Sequence, residues 1–233
     1  MNRGIYAAAS AMAAAEQRVE AITSNLANVG ATGFKRKNVV THSFQNALNR
    51  HMQPQIASKE STDFSQGSLR PTEGEYDLAL EGPGFFAVDT KQGEVYTRNG
   101  AFHIDQNGVL QTRDGLPVAW EGQRGTLNAL GKAASVDAQG NVRQDGNEIG
   151  RLKLVDFADP SLLTLDREGN LRAPGDALRQ APTGNVRQGV LENANVNAID
   201  EMVGLIAAQR SFESSARTLS TIEQVLRRVT NSR

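Results

Sequence analysis

Apolar residues at the start of the chain recur with a helical period. Ile5, Ala8, Met12, Ala15, Val19, Ile22, Leu26 and Val29 are separated by alternating steps of three and four, the a/d spacing of a coiled-coil seam. The residues between them are mostly Ala, Glu, Gln, Arg and Ser, good helix formers. The pattern predicts a helix that ends near Asn28–Gly33, where Gly30 and Gly33 can adopt the left-handed conformation of a terminus. The other end of the chain mirrors this. Met202, Leu205, Gln209, Phe212, Ala216 and Leu219 keep the same spacing, and after one skipped step Ile222, Leu226 and Val229 continue it. Asn197 is placed to cap this second helix, with Asp200 three residues later completing a capping-box-like pair near the positive dipole end. Gln209 is a polar residue within the seam, where it can fix register.

Between the two periodic ends the pattern shortens to that of strands. Tyr76–Leu80, Phe85–Asp89, Glu94–Arg98, Ala101–Asp105, Val109–Arg113, Leu116–Trp120 and Gly150–Phe157 read as strands. Three turns repeat one motif, Asp105-Gln-Asn-Gly108, Asp137-Ala-Gln-Gly140 and Asp166-Arg-Glu-Gly169. Asp first and Gly fourth suits a type I turn closing into a glycine bulge, so each predicts a β-hairpin. Glycine and proline follow the same division. Of 22 glycines, 18 lie from Gly67 to Gly189, and all seven prolines lie from Pro54 to Pro182. The expected fold is therefore α+β: N- and C-terminal helices forming a coiled-coil-like layer, and a central all-β domain rich in hairpins. The expected boundaries are a helix over 1–33, an extended or mixed connector over 34–66, a β domain over 67–189 and a helix over 190–233.

Composition narrows the chemistry. The 233 residues contain no cysteine, which excludes disulfides, thiolate metal sites and cysteine nucleophiles. Only His42, His51 and His103 are present, none with a carboxylate at a catalytic spacing. Charge is balanced, 25 basic against 26 acidic residues, so no bulk nucleic-acid footprint exists. Lys35-Arg36-Lys37 is the one basic triplet, and it lacks interleaved aromatics. Gly82-Pro-Gly84-Phe-Phe-Ala87 has the outline of a dinucleotide fingerprint, but a strand follows where a helix is required. The Asp-x-x-Gly turns lack the ligand spacing of a calcium loop. There is no Gly-x-Ser-x-Gly elbow and no phosphate-binding loop, and no apolar run of about 18 residues that would span a membrane as a helix. No cofactor, metal or catalytic residue is expected. Arg3 followed by an Ala-rich run has the outline of a secretory signal, yet it contains no Leu or Phe, and the heptad continues through Glu16, Arg18 and Glu20. Two terminal seams remain. They either close one molecule's interior or join neighbouring molecules, and their narrowness favours helix-to-helix assembly.

Three stretches carry a family resemblance. Ser24-Asn-Leu-Ala-Asn28 with Thr32-Gly-Phe-Lys35 resembles the N-terminal motif of the bacterial flagellar rod and hook family. Asp77-Leu-Ala-Leu-Glu-Gly-Pro-Gly-Phe-Phe86, Tyr96-Thr-Arg-Asn-Gly100 and Asp105-Gln-Asn-Gly108 are similar to its central motif. Leu191-Glu-Asn-Ala-Asn-Val-Asn197, Glu201-Met202 and Gln209-Arg210 resemble its C-terminal signature. Met1-Asn-Arg-Gly-Ile-Tyr6, the short stretch from Phe34 to Ser65 and Leu154-Val-Asp-Phe-Ala-Asp-Pro160 look most like the proximal-rod branch, with the distal rod next and the hook disfavoured by length.

The resemblance implies a structural, non-enzymatic subunit of the basal-body rod in the periplasm. Such a subunit would be exported by the flagellar type III apparatus without a cleaved signal, and would assemble with copies of itself and other rod proteins into a torque-transmitting shaft. It implies no nucleic acid, small-molecule substrate or membrane span. The expected interface comprises the seam residues Ile5, Met12, Val19, Ile22, Leu26, Met202, Leu205, Gln209, Phe212 and Leu219. It also takes in Asn25, Asn28, Asn195 and Asn197 at helix ends, Gly33 and Phe34 at the exit to the β domain, and Arg210. Two other classes compete: a β-rich enzyme or glycan-binding domain acting on peptidoglycan, which would need clustered carboxylates and exposed aromatics on one sheet face and is opposed by the few aromatics and the single Trp120, and a soluble export partner of other rod subunits.

Overall fold

The computed structural model describes residues 2–43, 56–166, 169–175 and 177–231. His51, part of the 34–66 connector, and the side chains of His42, Leu226 and Val229 lie outside the described residues. The fold is α+β and divides into two units. One comprises Met1–Val29, Arg36–Asp63 and Val196–Arg233; the other comprises Gly30–Lys35 and Phe64–Asn195.

The first unit holds both helices, α1 (Asn2–Ala27) and α2 (Ala198–Asn231), and a ribbon of β1 (Lys37–Ser43) and β2 (Ile56–Thr62). The ribbon is antiparallel, with Lys37 opposite Thr62 and Ser43 opposite Ile56, and both strands pack on α1. The helices pair antiparallel in one constant register. Asn25 meets Glu201, a Cβ added to Gly204 would lie 3.4 Å from Ile22 Cδ1, and one added to Gly4 would lie 3.3 Å from Ile222 Cδ1. Ala8, Ala15 and Ala208 are buried along the contact, small side chains that let two helices approach closely. With Gly4 already opposite Ile222, the 34-residue α2 outruns the 26-residue α1. Val225, near that overhang, is exposed.

The second unit is a β domain. Its strands are β3 (Leu69–Pro71), β4 (Leu78–Glu81), β5 (Phe85–Thr90), β6 (Gly93–Thr97), β7 (Phe102–Ile104), β8 (Leu110–Thr112), β9 (Trp120–Glu121), β10 (Ser135–Val136), β11 (Asn141–Gln144), β12 (Asn147–Leu152), β13 (Leu154–Phe157), β14 (Thr164–Leu165), β15 (Leu171–Arg172), β16 (Arg179–Gln180), β17 (Asn185–Gln188) and β18 (Val190–Glu192). A six-stranded sheet runs in the order β14-β15-β6-β5-β13-β16, a four-stranded one β10-β11-β12-β9, and β17-β4, β18-β3 and β7-β8 form pairs. The apolar run Phe85-Phe86-Ala87 does not alternate with polar residues because both sheet faces are covered. Phe86 joins Leu80, Phe102, Trp120 and Leu152 in one core, while Phe85 and Ala87 join Tyr96, Val155 and Phe157 in a second. Edge-to-face ring contacts reinforce both, Phe86 on Phe102 at 5.2 Å and Tyr96 on Phe157 at 4.9 Å.

The three Asp-x-x-Gly turns form as expected. In each, the Asp N–H donates to a carbonyl four residues on, the Gly N–H donates back to the Asp carbonyl, and the Asp carboxylate accepts the N–H of the residue after the Gly. Gly108, Gly140 and Gly169 have φ of 79°, 86° and 84°, conformations that favour glycine. Three local expectations need correction. Gly33 is left-handed at φ 67°, but Gly30 is not; α1 already ends at Ala27, and the one sharp turn is made at Gly33. The strand expected over Leu116–Trp120 shrinks to Trp120–Glu121 with isolated bridges at Pro117 and Val118, since Pro117 has no N–H to give a ladder. Asn197 caps α2 by accepting the Ile199 N–H at 3.0 Å, but among the described residues Asp200 makes no return hydrogen bond to it.

The turn geometry sets a pH response. The N–H groups of Val109 and Asn107 and the Asn107 side chain hold the Asp105 carboxyl below the usual carboxylate range. A depressed acid contributes stability above its unfolded value, near 3.9, and loses it as pH falls through the folded value. A carbon-detected NMR titration should therefore place the Asp105 midpoint below that of the unfolded chain; an equal or higher midpoint would contradict the turn hydrogen bonds.

Candidate functional site

Two buried glutamates organise the ends of the chain. Glu201 lies in the first turn of α2 and is buried. Its Oε1 accepts from Arg36 Nε at 2.5 Å, and its Oε2 from Asn25 Nδ2 at 3.2 Å. Asn25, fully buried, also donates to the Lys37 carbonyl at 2.9 Å and accepts the Lys37 N–H at 2.8 Å. One amide and one carboxylate thus tie α1, the entry to β1 and the start of α2 within the first unit. The carboxylate also favours the positive end of α2.

Glu192 does the same work in the second unit. Its side chain is 0% exposed. Lys35 Nζ approaches Oε1 at 2.7 Å, Arg98 Nη1 approaches Oε2 at 3.3 Å, and the Gly67 N–H donates to Oε1 at 2.9 Å. Arg98 also donates to the carbonyls of Leu80 and Gly82 at 3.2 and 2.7 Å and lies 5.3 Å from the Phe85 ring centre. Burial pushes the Arg98 guanidinium down, and Glu192 counters that shift. The Gly33 N–H donates to the Glu192 carbonyl at 2.7 Å. A Cβ on Gly33 would lie 2.3 Å from the Arg98 carbonyl carbon, and one on Gly100 only 1.7 Å from the Leu78 oxygen, so both glycines are required by close backbone approach. The three motif regions read from the sequence converge here: Gly33 and Lys35, Arg98 and Gly100, and Glu192.

The helix pair places the expected interface residues as follows. Ile22 is buried; Ile5, Met12, Val19, Leu26, Leu205 and Leu219 are half-buried. Phe212 is 37% exposed and Met202 51%, while Gln209 and Arg210 are exposed. The α2 seam is therefore displaced. Glu201 and Ala208 are the buried residues of α2, and Leu205, Ser215, Ala216, Leu219 and Ile222 are half-buried, so Glu201 and Ala208 are covered where Met202 and Gln209 were expected to be. The physical reason is that Glu201 has partners in the buried Asn25 and the part-exposed Arg36. Asn28 bonds back to the Ser24 carbonyl at 2.8 Å. Asn195 donates to Ser65 at 3.1 Å and its N–H reaches the Phe34 carbonyl at 3.4 Å.

Two surface features remain on this pair. Ile199, Met202, Val203 and Ile206 form an exposed apolar stripe on the side of α2 away from α1, Ile199 being 73% exposed. Arg210 follows along the same face. Between the helices, Glu16, Val19, Gln209, Phe212 and Glu213 line a groove of about 580 Å³.

Lys35, Arg36, Arg98, Glu192 and Glu201 were not singled out as site residues by the sequence reading. Their signal was a charge inside an apolar or small-residue context, as in Val190-Leu191-Glu192. Trp120 is buried in the core, so it offers no exposed ring for a sugar. Among the described residues no group of three His, Asp or Glu side chains gathers as a metal site, and no helix is long and apolar enough to cross a membrane.

The chain thus has an antiparallel pair of terminal helices with apolar side chains exposed on it, and a separate hairpin-rich domain. Comparison with known proteins gives the family. Residues 5–35 match the model described as flagella basal body rod protein, residues 79–144 the flagellar hook protein FlgE/F/G D1 domain, and residues 187–232 the flagellar basal body rod FlgEFG protein C-terminal region. The chain is 30% identical to the flagellar basal-body rod protein FlgG of Bacillus subtilis over 99% of both chains. It is 30% identical to the rod protein FlgF of Caulobacter vibrioides over 97% of this chain and 96% of that one, and 34% identical to FlgF of Mesorhizobium japonicum over 93% and 91%. The chain belongs to the flagellar basal-body rod protein family, a family of structural proteins.

The Glu192 site makes a stability prediction. Glu192→Gln leaves two buried cations without their counter-ion and should cost about 3–5 kcal/mol in urea unfolding. Glu81→Gln removes an ion pair with Arg187 that is half exposed on both sides and should cost under about 1 kcal/mol. Equal effects would mean that Glu192 does not organise the unit.

Proposed function

We propose that this chain is a non-enzymatic subunit of the proximal segment of the rod, joined to copies of itself and to other rod proteins through α1 and α2, and transmitting torque through that packed helix layer. The observation that carries the reading is the apolar stripe Ile199, Met202, Val203 and Ile206, which a chain acting alone would leave against water. Assignment to the proximal segment is supported by length. The FlgF match from Caulobacter vibrioides spans 235 aligned positions, whereas the FlgG match from Bacillus subtilis needs 268, and the stretch after Gly33-Phe34-Lys35 is correspondingly short. Export through the flagellar type III apparatus into the periplasmic basal body, with the N-terminus kept, is supported by the use made of that N-terminus. Ala8 and Ala15 are buried in the helix pair, so removing the Ala-rich start would strip α2 of its partner.

The test separates assembly from folding. Val203→Asp with Ile206→Asp changes two exposed positions, so the isolated chain should keep its unfolding free energy within about 1 kcal/mol. In cells the same variant should fail to copurify with detergent-resistant basal bodies and should abolish motility. Normal incorporation of a stably folded variant would remove the stripe from any role in the rod.

A further inference from the structure

The run from Asn185 to Asn195 is the meeting point of the β domain. Among the described residues, β17 is the strand partner of β4, and β18 that of β3. The Val186 N–H donates to the Ala138 carbonyl at 2.9 Å, the Gly189 N–H to the Asp77 carbonyl at 2.8 Å, and the Thr72 N–H to the Gly189 carbonyl at 2.8 Å. The Gln188 side chain donates to the carbonyls of Glu75 and Ala134 at 2.6 and 2.8 Å and accepts the Val136 N–H at 2.8 Å. Glu192 brings the carboxylate that faces Lys35 and Arg98. One short run therefore joins Gly33–Lys35, Gly67–Glu81, Arg98 and Ala134–Ala138, which have no local reason to meet.

Closing such distant contacts costs loop entropy before any of them stabilises the chain. The hairpins β5–β6, β7–β8 and β11–β12 can pair locally, but the core that Leu80, Phe86, Phe102 and Val142 form also includes Val186. Collapse without Glu192 would bury Lys35 and Arg98 without the carboxylate that pairs with both, and burying a cation away from its counter-ion is strongly unfavourable. We propose that Asn185–Asn195 is a folding latch: the β domain stays open until this run docks, and closes as one unit when it does. Synthesis delivers the latch after every other part of that domain, with only the stretch that becomes α2 still to follow. The chain is then an open, threadable polymer through most of its synthesis, and docking of Glu192 ends that state. This rests on the export reading above and deepens it by naming the step that limits the time in which the chain can be threaded.

Refolding of the full chain from urea, followed by pulsed hydrogen exchange, tests the latch. The Ala119 N–H, bonded to the Ala87 carbonyl, and the Lys153 N–H, bonded to the Ala119 carbonyl, report on the body of the domain; the Val186 and Gly189 N–H groups report on the latch. All four should become protected in one phase. Val186→Ala shortens a buried side chain of the latch. It and Glu192→Gln should each slow that phase by about tenfold or more while changing the unfolding rate less than about twofold. Leu171→Ala, in the second core and away from the latch, should instead speed unfolding. Val186→Ala carries the test alone if Glu192→Gln does not fold. Protection of Ala119 and Lys153 in a phase before Val186 and Gly189 would overturn the latch. Latch variants that fold at the parent rate and only unfold faster would overturn it too. Either result leaves the export reading standing, because refolding in solution involves no export. A chain recovered from basal bodies without its Ala-rich start would overturn the export reading and leave the latch in place.

Discussion

The β domain depends on one buried carboxylate. Glu192 ends β18, has no solvent contact, and is held by Lys35, Arg98 and the Gly67 N–H. Its partners come from positions far apart in sequence: the segment after α1, the end of β6, and the entry to β3. Nothing in local propensity joins these. A buried ion cluster is a poor source of net stability, because the desolvation of each charge offsets most of the attraction. It is an effective source of uniqueness, since any other arrangement strands an unpaired charge in the interior. Here it fixes the segment after α1 and the segment before α2 beside one another in the β domain. Both ends of the chain therefore leave that domain from a defined place.

Glu201 repeats the device nine positions later in the first unit. The two glutamates divide the basic triplet between them, Lys35 pairing with Glu192 and Arg36 with Glu201. Lys37 contributes its backbone N–H and carbonyl to Asn25. A triplet that in isolation reads as a weak anion-binding surface is thus used inward, one cation for each unit. The chain passes from one unit to the other at the peptide between Lys35 and Arg36, and each side of that peptide is anchored within its own unit.

Much of this architecture was legible in the sequence. The terminal heptads, the Asp-x-x-Gly hairpins and the division by glycine and proline all follow from local rules of period and turn chemistry, and they gave the α+β fold with helical ends. The family resemblance was legible too, because its motifs are contiguous. What escaped was long-range pairing. Periodicity chose Met202 for the α2 seam over Glu201, since hydropathy alone cannot know that Asn25 and Arg36 wait for a carboxylate. It chose Gln209, although Ala208 is the buried residue of the two. Gly30 looked as able as Gly33 to end α1, and only the Arg98–Asn99 backbone lying against Gly33 distinguishes them.

The displaced seam alters what α2 presents. With Glu201 and Ala208 covered, Met202 is freed to join Ile199, Val203 and Ile206 on the outside. Had Met202 packed inward as its hydropathy suggests, the outer face would have lost a member of its apolar stripe and Glu201 would have stood in solvent beside it. The polar knot at Asn25 therefore does two things at once. It anchors the start of α2, and it rotates the helix so that its apolar surplus faces outward. The same rotation leaves Phe212 only partly covered over Val19. One buried hydrogen-bonded carboxylate thus sets both the face that α2 exposes and the groove beside it, and a helix that satisfied its hydrophobic pattern internally would have had less apolar surface left with which to join a neighbour.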